Sequence, residues 1–267
     1  MKLAWLTDIH LNFLRPAARE AFFASLPDTE ADAFLLGGDI GEAHDVAGYL
    51  NQIDTAVQRA VYFVLGNHDF YRGTIAGVRG KVRQLCSALP TLRWMPDAGV
   101  IPLTDATCLI GHDGWGDGRL GDYHGSDVLL NDFGLIGEFG GFHEAKADRL
   151  AKLHALGDEA AAHFRAVLPD ALAQFEHVLV LTHVPPFREA CWHEGKTSGD
   201  DWLPFFTCKA VGDALAEAMQ AASGRRMTVL CGHTHGAGEV EIIPNLRVLT
   251  GGAEYGKPSV QRLIEVK

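Results

Sequence analysis

Seven short apolar runs recur along the chain, and most of them end directly in a polar group. The runs, with the residues that close them, are KLAWLTD, AFLLGGD, AVYFVLGN, TCLIGHD, HVLVLTH, MTVLCGH and LRVLTGG. Apolar runs of this length, bounded by turn residues, predict strands that are buried on both faces. Segments with helical spacing separate several of the runs, so the pattern predicts an α/β fold built in layers.

The predicted helices lie between these strands. Apolar spacing places them near residues 16–26, 45–59, 74–89, 144–175 and 209–222, with a possible break of the fourth helix at Pro169. The length of 267 residues predicts one large domain, residues 1–267. Residues 111–142 are rich in Gly and Asp and lack periodicity, which predicts a long loop or a lid inserted in that domain.

Composition narrows the class of function. The formal net charge of −11 argues against a nucleic-acid partner, since proteins that bind nucleic acids usually present a basic surface to the phosphates. No run approaches the ~20 apolar residues of a membrane span, and the first residues become polar too early for a signal peptide. The five cysteines contain no CxxC pair, which suits reduced thiols. These features predict a cytoplasmic protein without a membrane partner.

Polar residues that bind metals follow five of the apolar runs. Because the carboxyl ends of neighbouring parallel strands meet at one sheet edge, the sequence predicts that these residues share one crevice. Two pairs are spaced i,i+2, which lets both members of a pair reach the same ion. The residues are Asp8 and His10, Asp39, Asn67 to Asp69, His183, and His233 and His235.

The donor types indicate which ions fit. Imidazole, carboxylate and amide donors without a thiolate suit Mn²⁺, Fe, Co²⁺, Ni²⁺ or Zn²⁺, and a carboxylate can bridge two such ions. A single motif of this kind is explained equally well by a turn or a helix cap. All five in order, each at a predicted strand end, indicate a metal site.

With these residues the chain resembles the calcineurin-like metallophosphoesterases. The family pattern DxH, GD, GNH[DE], H and GHxH stands here as Asp8-Ile9-His10, Gly38-Asp39, Gly66-Asn67-His68-Asp69, His183 and Gly232-His233-Thr234-His235. The resemblance implies an αββα fold: two mixed β-sheets packed as a sandwich and flanked by α-helices, with the site between the sheet edges.

The resemblance also implies a role for each matched residue. Asp8, His10 and His235 would hold one divalent ion, and Asn67, His183 and His233 would hold a second. Asp39 would bridge the two ions. His68 would be a catalytic residue beside the ions, oriented by Asp69.

The implied reaction is hydrolysis of a small phosphodiester or phosphomonoester by a hydroxide that bridges the two ions. Three alternatives stay open: a nuclease of the same chemistry, a serine/threonine protein phosphatase, and a non-catalytic metal-binding interaction module. The protein phosphatases carry an arginine in GDxxDRG, whereas this chain reads GDIGEAH. The run His183-Val184-Pro185-Pro186 is similar to sequences in the branch that hydrolyses cyclic nucleotides and glycerophosphodiesters.

Candidate substrate contacts lie in the loops. Aromatic side chains can stack on a leaving group, and a guanidinium matches the geometry of a phosphate. The candidates are Trp115, Arg119, Tyr123 and Trp192, with Tyr255 as a further residue near the crevice. His112 and Asp113 also follow an apolar run, and we expect them behind the ligands or at the hinge of the lid.

Overall fold

The computed structural model describes all 267 residues of the chain. Its strands are β1 (Lys2–Leu6), β2 (Ala33–Gly37), β3 (Ala60–Val64), β4 (Leu92–Trp94), β5 (Ile101–Pro102), β6 (Thr107–His112), β7 (His177–Thr182), β8 (Trp192–His193), β9 (Lys196–Thr197), β10 (Arg226–Cys231), β11 (Gly238–Ile243), β12 (Leu246–Thr250) and β13 (Arg262–Glu265). All seven apolar runs of the sequence therefore form strands.

The α-helices are α1 (Pro16–Ser25), α2 (Val46–Val57), α3 (Ile75–Ala88), α4 (Met95–Ala98), α5 (Asp132–Leu135), α6 (Lys146–Gln174), α7 (Leu203–Phe206) and α8 (Lys209–Ala221). The five predicted helices correspond to α1, α2, α3, α6 and α8. None of the helices combines the length and the apolar character that crossing a membrane requires.

The possible break at Pro169 is not formed, and α6 runs through this residue. Proline removes one hydrogen bond from a helix and crowds the preceding turn. Phe164, Leu168 and Ala171 lie on both sides of Pro169 and are buried in one apolar cluster. Packing of this face keeps the helix continuous.

Two mixed sheets form the centre of the fold. The first has the strand order β13-β1-β2-β3-β4, in which only β13 is antiparallel to its neighbour. The second has the order β11-β12-β10-β7-β6-β5, in which β11 and β5 are the antiparallel edge strands. The short strands β8 and β9 pair separately as a hairpin.

Alternation along the strands produces the layers. In β1, Leu3 and Trp5 face a cluster that also contains Leu181 and Leu230 of the second sheet. Ala4 and Leu6 face the opposite side, where α1 to α3 pack. A third cluster lies between the second sheet and helices α6 and α8. The predicted αββα sandwich is confirmed.

The segment 111–142 contains the end of β6 and the short helix α5, and much of it is packed inside the molecule. Trp115, Tyr123, Phe133 and Phe139 are each no more than 5% exposed and belong to the cluster beneath the first sheet. Burial of these rings stabilises the position of the segment. A lid movement of the segment stays a prediction.

Candidate metal centre

The ends of five strands meet at one edge of the sandwich. Backbone hydrogen bonds join the turns that follow them: Asp8 N–H donates to the Gly38 carbonyl at 3.0 Å, and Gly232 N–H donates to the His183 carbonyl at 2.8 Å. The seven residues predicted as ligands therefore lie in one crevice formed by both sheets. Their roles as ligands stay predictions.

The turns that carry these side chains are strained. Five of the seven residues have a positive φ, a region that non-glycine residues seldom occupy: Asp8 (51°), His10 (40°), Asp39 (52°), His233 (70°) and His235 (59°). Such strain persists where the surrounding structure imposes it, commonly at functional sites.

Two glycines permit the close approach of the turns. A Cβ at Gly66 would lie 2.1 Å from Asp39 Oδ1, and a Cβ at Gly232 would lie 1.9 Å from Asp8 Oδ2. No side chain fits at either distance. The glycines of GNHD and GHTH thus bring the backbone against the two carboxylates.

A first donor cluster consists of Asp8, His10, Asp39 and His235. One donor atom from each of these four residues lies within 4.8 Å of the others. His10 Nε2 is 3.1 Å from His235 Nε2 and 3.7 Å from Asp39 Oδ2, and His235 Nε2 is 3.5 Å from Asp8 Oδ1. Two carboxylates and two imidazoles at these distances can hold a divalent cation.

A second donor cluster consists of Asn67, His183 and His233. Asn67 Oδ1 lies 3.2 Å from His183 Nε2 and 3.0 Å from His233 Nδ1, and the two imidazole nitrogens are 3.2 Å apart. Ligands ~2.1 Å from an ion in octahedral geometry are ~3.0 Å apart. The spacing of the second cluster therefore fits one ion.

Backbone carbonyls fix the tautomers of both imidazoles in the second cluster. His183 Nδ1 donates to the Gly37 carbonyl at 2.8 Å, and His233 Nε2 donates to the Phe205 carbonyl at 3.2 Å. Each neutral ring then has its other nitrogen unprotonated. Two nitrogen lone pairs and the Asn67 oxygen consequently face one another, an arrangement that a cation would stabilise.

Asp39 lies between the two clusters. Its Oδ2 faces His10, whereas its Oδ1 is 3.5 Å from His183 Nε2 and accepts the His68 backbone N–H at 2.9 Å. One carboxylate thus presents one oxygen to each cluster. This is the geometry that a bridging ligand requires.

The pKa shifts show how strongly burial acts on these groups. Burial lowers the pKa of His10 to about 2 and that of His233 to about 3, so both rings are neutral at neutral pH. Burial, followed by the charges of Asp8 and Asp69, raises the pKa of Asp39 well above its ordinary value. Burial would also raise the pKa of Asp8, but the hydrogen bond with His235 and the nearby imidazoles lower it. Neutral imidazoles beside adjacent carboxylates form a donor set suited to a cation.

His68 lies beside the clusters but is not held by Asp69. Its Nε2 is 4.0 Å from Asp39 Oδ2, and its ring stacks on Tyr71 with centroids 4.3 Å apart. The Asp69 carboxylate instead accepts the backbone N–H groups of Ile40, Gly41 and Gly66 at 2.8–2.9 Å. The expected contact between Asp69 and the His68 ring is therefore not formed, because the acidic side chain folds under the loop and satisfies its buried N–H groups.

Asp113 lies behind the centre, whereas the His112 ring lies beside the rings of His163 and Phe164 on α6. Asp113 is fully buried and accepts the Leu65 N–H at 2.8 Å and the Trp94 indole N–H at 2.9 Å. The Asp113 carbonyl accepts the His183 N–H at 3.0 Å. Asp113 therefore supports two of the turns that carry predicted ligands, which matches the expected place behind them.

Three of the four predicted substrate contacts have other partners. Trp115 is in the apolar cluster beneath the first sheet, Arg119 pairs with Asp117 and Asp158, and the Tyr123 hydroxyl donates to the Lys146 carbonyl. Trp192 packs against the glycines after GHTH. None of the four lines the cleft over the clusters. Their roles in substrate binding stay predictions.

The cleft over the two clusters has a volume of about 210 Å³. Tyr255 lies on its rim as expected, with its ring centroid 4.6 Å from that of His10. Tyr71, Asp132 and Phe206 also line the cleft, although no sequence motif marks them as site residues. A second cavity of about 500 Å³ adjoins the cleft and shares His193 and Phe206 with it.

Residues 1–237 match the family model of the calcineurin-like phosphoesterases. A phosphopantetheinyl hydrolase from Mycobacterium tuberculosis has a similar structure, with a TM-score of 0.70 and 16% identity over 96% of this chain and 90% of that protein. A dimetal phosphatase from Danio rerio has a TM-score of 0.57 and 13% identity over 97% and 89% of the two chains. No curated protein matches the sequence.

Proposed function

Because the chain belongs to the calcineurin-like phosphoesterases, we propose that it hydrolyses a small phosphate ester with the help of two divalent metal ions. The observation that carries the proposal is the pair of donor clusters that share Asp39. The first cluster would hold one ion through Asp8, His10 and His235. The second would hold the other ion through Asn67, His183 and His233.

Two ions held in this way would lower the pKa of a water molecule towards ~7 and would polarise phosphate oxygens. The chain itself supplies the orientation of the donors. Carbonyl groups of Gly37 and Phe205 hold the imidazoles of His183 and His233 so that their unprotonated nitrogens face inward. Asp8 and Asp39 would provide the negative charge that holds the ions.

His68 is the residue best placed to act on the phosphate group. It lines the cleft beside Asp39, and stacking on Tyr71 limits its rotation. Burial lowers its pKa to about 4, so the ring is neutral at neutral pH and carries one N–H. We assign it the donation of a hydrogen bond to an oxygen whose charge grows during the reaction.

The dimensions of the site favour a small substrate. Small-molecule pockets usually have volumes of about 300–1,000 Å³. The cleft alone, at about 210 Å³, is smaller than this, whereas the adjoining cavity, at about 500 Å³, lies within the range. The phosphate would occupy the cleft, and the leaving group would extend past Phe206 into the adjoining cavity, beside Trp202. The net charge of −11 makes long nucleic acids a less suitable substrate.

The direct test is hydrolysis of bis(p-nitrophenyl) phosphate and p-nitrophenyl phosphate with Mn²⁺, with Asp39→Asn as the control variant. We expect metal-dependent release of p-nitrophenol by the wild-type protein and none by the variant. Absence of turnover of both esters by the protein with two ions bound would reject the proposed activity for small esters.

A substrate series would then define the leaving group. It should include nucleotides, glycerophosphodiesters and a phosphopantetheinyl ester, since one similar structure is that of a phosphopantetheinyl hydrolase. Trp202→Ala should raise KM for large leaving groups more than for p-nitrophenyl phosphate. Leu129→Ala is the matched control, because Leu129 is also exposed and apolar but lines neither cavity.

A further inference from the structure

A buried carboxylate lies directly behind the second donor cluster. Asp132 is only 3% exposed, and its Oδ1 accepts hydrogen bonds from Asn67 Nδ2 at 2.8 Å and from the Tyr71 hydroxyl at 2.7 Å. Asn67 Nδ2 is also 3.3 Å from the Tyr71 hydroxyl. The nitrogen side of the Asn67 amide therefore faces Asp132, and its oxygen side faces the imidazoles.

The orientation of this amide determines whether Asn67 can bind an ion. An asparagine side chain has an acceptor oxygen and a donor NH₂ group at opposite positions, and rotation by about 180° exchanges them. Only the oxygen can bind a cation. An NH₂ group turned towards His183 and His233 would occupy the second cluster with hydrogen atoms.

An ionised Asp132 accepts hydrogen bonds and donates none. Rotation of the Asn67 amide would place its oxygen against this carboxylate and would leave the NH₂ group without that acceptor. Loss of a hydrogen bond at a buried charged acceptor is costly. Asp132 therefore selects the rotamer in which Asn67 Oδ1 points at the nitrogens of His183 and His233.

The backbone fixes Asp132 in this place. Arg72 N–H donates to the Leu135 carbonyl at 2.7 Å, and Gly137 N–H donates to the Gly73 carbonyl at 2.9 Å. These bonds tie residues 132–137 to the chain that follows Asn67. The adjacent Phe133 is buried and packs under the guanidinium of Arg149 at 4.1 Å. The part of the 111–142 segment that carries Asp132 is thus anchored on two sides.

From these contacts we propose that Asp132 is a positioning residue that orients the Asn67 amide towards the second metal ion. The proposal rests on the dinuclear function proposed above. Tyr71 completes the arrangement, because its hydroxyl binds Asp132 while its ring stacks on His68. One carboxylate thereby connects a candidate ligand to the support of the candidate catalytic histidine.

Calorimetric titration of the metal-free protein with Mn²⁺ tests the proposal without reference to turnover. Asp132→Leu removes the acceptor at similar volume, and we expect one ion to bind with wild-type affinity and the other 10- to 100-fold more weakly, the range typical for groups that orient ligands. Asp132→Asn retains an acceptor oxygen and should restore most of the affinity. Two ions bound by Asp132→Leu with wild-type affinity would overturn the proposal.

Tyr71→Phe is the matched control for loss of a buried hydrogen bond. It removes one donor to Asp132 and the longer contact of Asn67 Nδ2 with the hydroxyl, but it leaves the bond between Asp132 and Asn67, so both ions should bind. If Tyr71→Phe lowers the affinity for the second ion as much as Asp132→Leu does, any loss of a buried hydrogen bond at the site has this effect. The positioning role of Asp132 is then refuted.

A double variant keeps the test decisive if Asp132→Leu does not fold. Asn67→Asp combined with Asp132→Asn exchanges the two side-chain types, and a carboxylate at position 67 offers an oxygen in either rotamer. We expect this variant to bind two ions, and binding of one ion would overturn the proposal. Failure of the wild-type protein to bind two ions would instead reject the proposed dinuclear function itself.

Discussion

Asp39→Asn should reduce the stabilisation of the fold by bound metal ions more than any other single substitution at the site. Asp39 is 1% exposed and presents one oxygen to each donor cluster. Loss of its charge should therefore weaken the binding of both ions, whereas loss of one histidine should weaken mainly the binding of one ion. Asparagine keeps the size of the side chain and one oxygen for the His68 N–H.

The expected size follows from ligand linkage. An ion present at 100 times its dissociation constant stabilises the folded state by about 2.7 kcal/mol, so two ions contribute roughly 5 kcal/mol. For chains of 150–250 residues, 1 kcal/mol shifts Tm by about 2–4 °C. Saturating Mn²⁺ should then raise the Tm of the wild-type protein by about 10 °C or more, and that of Asp39→Asn by less than about 2 °C.

In the absence of metal, Asp39→Asn should not lower the thermal stability of the protein. Burial beside Asp8 and Asp69 raises the pKa of Asp39, which means that the ionised carboxylate destabilises the metal-free fold. Asp39→Asn removes this repulsion, so its metal-free Tm should equal or exceed that of the wild-type protein. A destabilised metal-free variant would contradict this account of the carboxylate pair.

Differential scanning fluorimetry at several Mn²⁺ concentrations measures both effects. Asp170→Asn is the matched control, because it makes the same chemical change at an exposed position on α6. It should keep the full Mn²⁺ shift. If Asp39→Asn also keeps the full shift, the two ions do not share Asp39 and the dinuclear assignment is refuted.

Further substitutions test the parts around the ions. His68→Ala should keep both ions and lower kcat by about 10²- to 10³-fold, the usual effect of losing one preorganised donor; a parallel fall in bound Mn²⁺ would contradict that role. Asp69→Ala should lower the free energy of unfolding in urea by about 3 kcal/mol or more, because three buried N–H groups lose their acceptor, and Asp69→Asn should lose less. Burial lowers the pKa of His112 to about 3 from an ordinary 6.5, so the unfolded chain binds a proton that the folded chain excludes, and stability falls as the pH drops through that interval. His112→Asn should reduce this slope by about 1.4 kcal/mol per pH unit in urea titrations at several pH values, and an unchanged slope would refute the contribution of His112.

The strand ends could be predicted because the signal is local. Each apolar run and its closing polar residue are adjacent in sequence, and parallel strands bring their carboxyl ends to one edge of the sheet. Asp8 and Asp39 meet for this reason, since β1 and β2 are parallel neighbours, whereas His183 reaches them from β7 of the second sheet because the two sheets pack together. The αββα layers followed from the same runs together with the family resemblance.

Side-chain contacts in segments without regular secondary structure could not be predicted from the sequence. Asp132 reaches Asn67 across 65 residues, from a segment in which neither helical nor strand periodicity marks the buried side. The same absence of periodicity hid the burial of Trp115. Asp69 follows His68 directly, yet its carboxylate bonds to three backbone N–H groups whose positions depend on the tertiary packing of the loop.

The strained turns allow a last prediction about how much the backbone of the site lowers the free energy of unfolding. His235 has a φ of 59° and a side chain that is 20% exposed, so its removal leaves only a small cavity. An alanine in the left-handed region costs about 1–2 kcal/mol, whereas glycine occupies it freely but loses about 0.5–1 kcal/mol of chain entropy on folding. His235→Gly should therefore be more stable than His235→Ala by roughly 0.5–1 kcal/mol in metal-free urea denaturation. At His44, an exposed residue without a positive φ, the order should reverse, with alanine the more stable variant. If alanine is the more stable variant at both positions, the turn after β10 relaxes when the imidazole is removed. The positive φ would then be imposed by the His235 side chain and not by the surrounding fold.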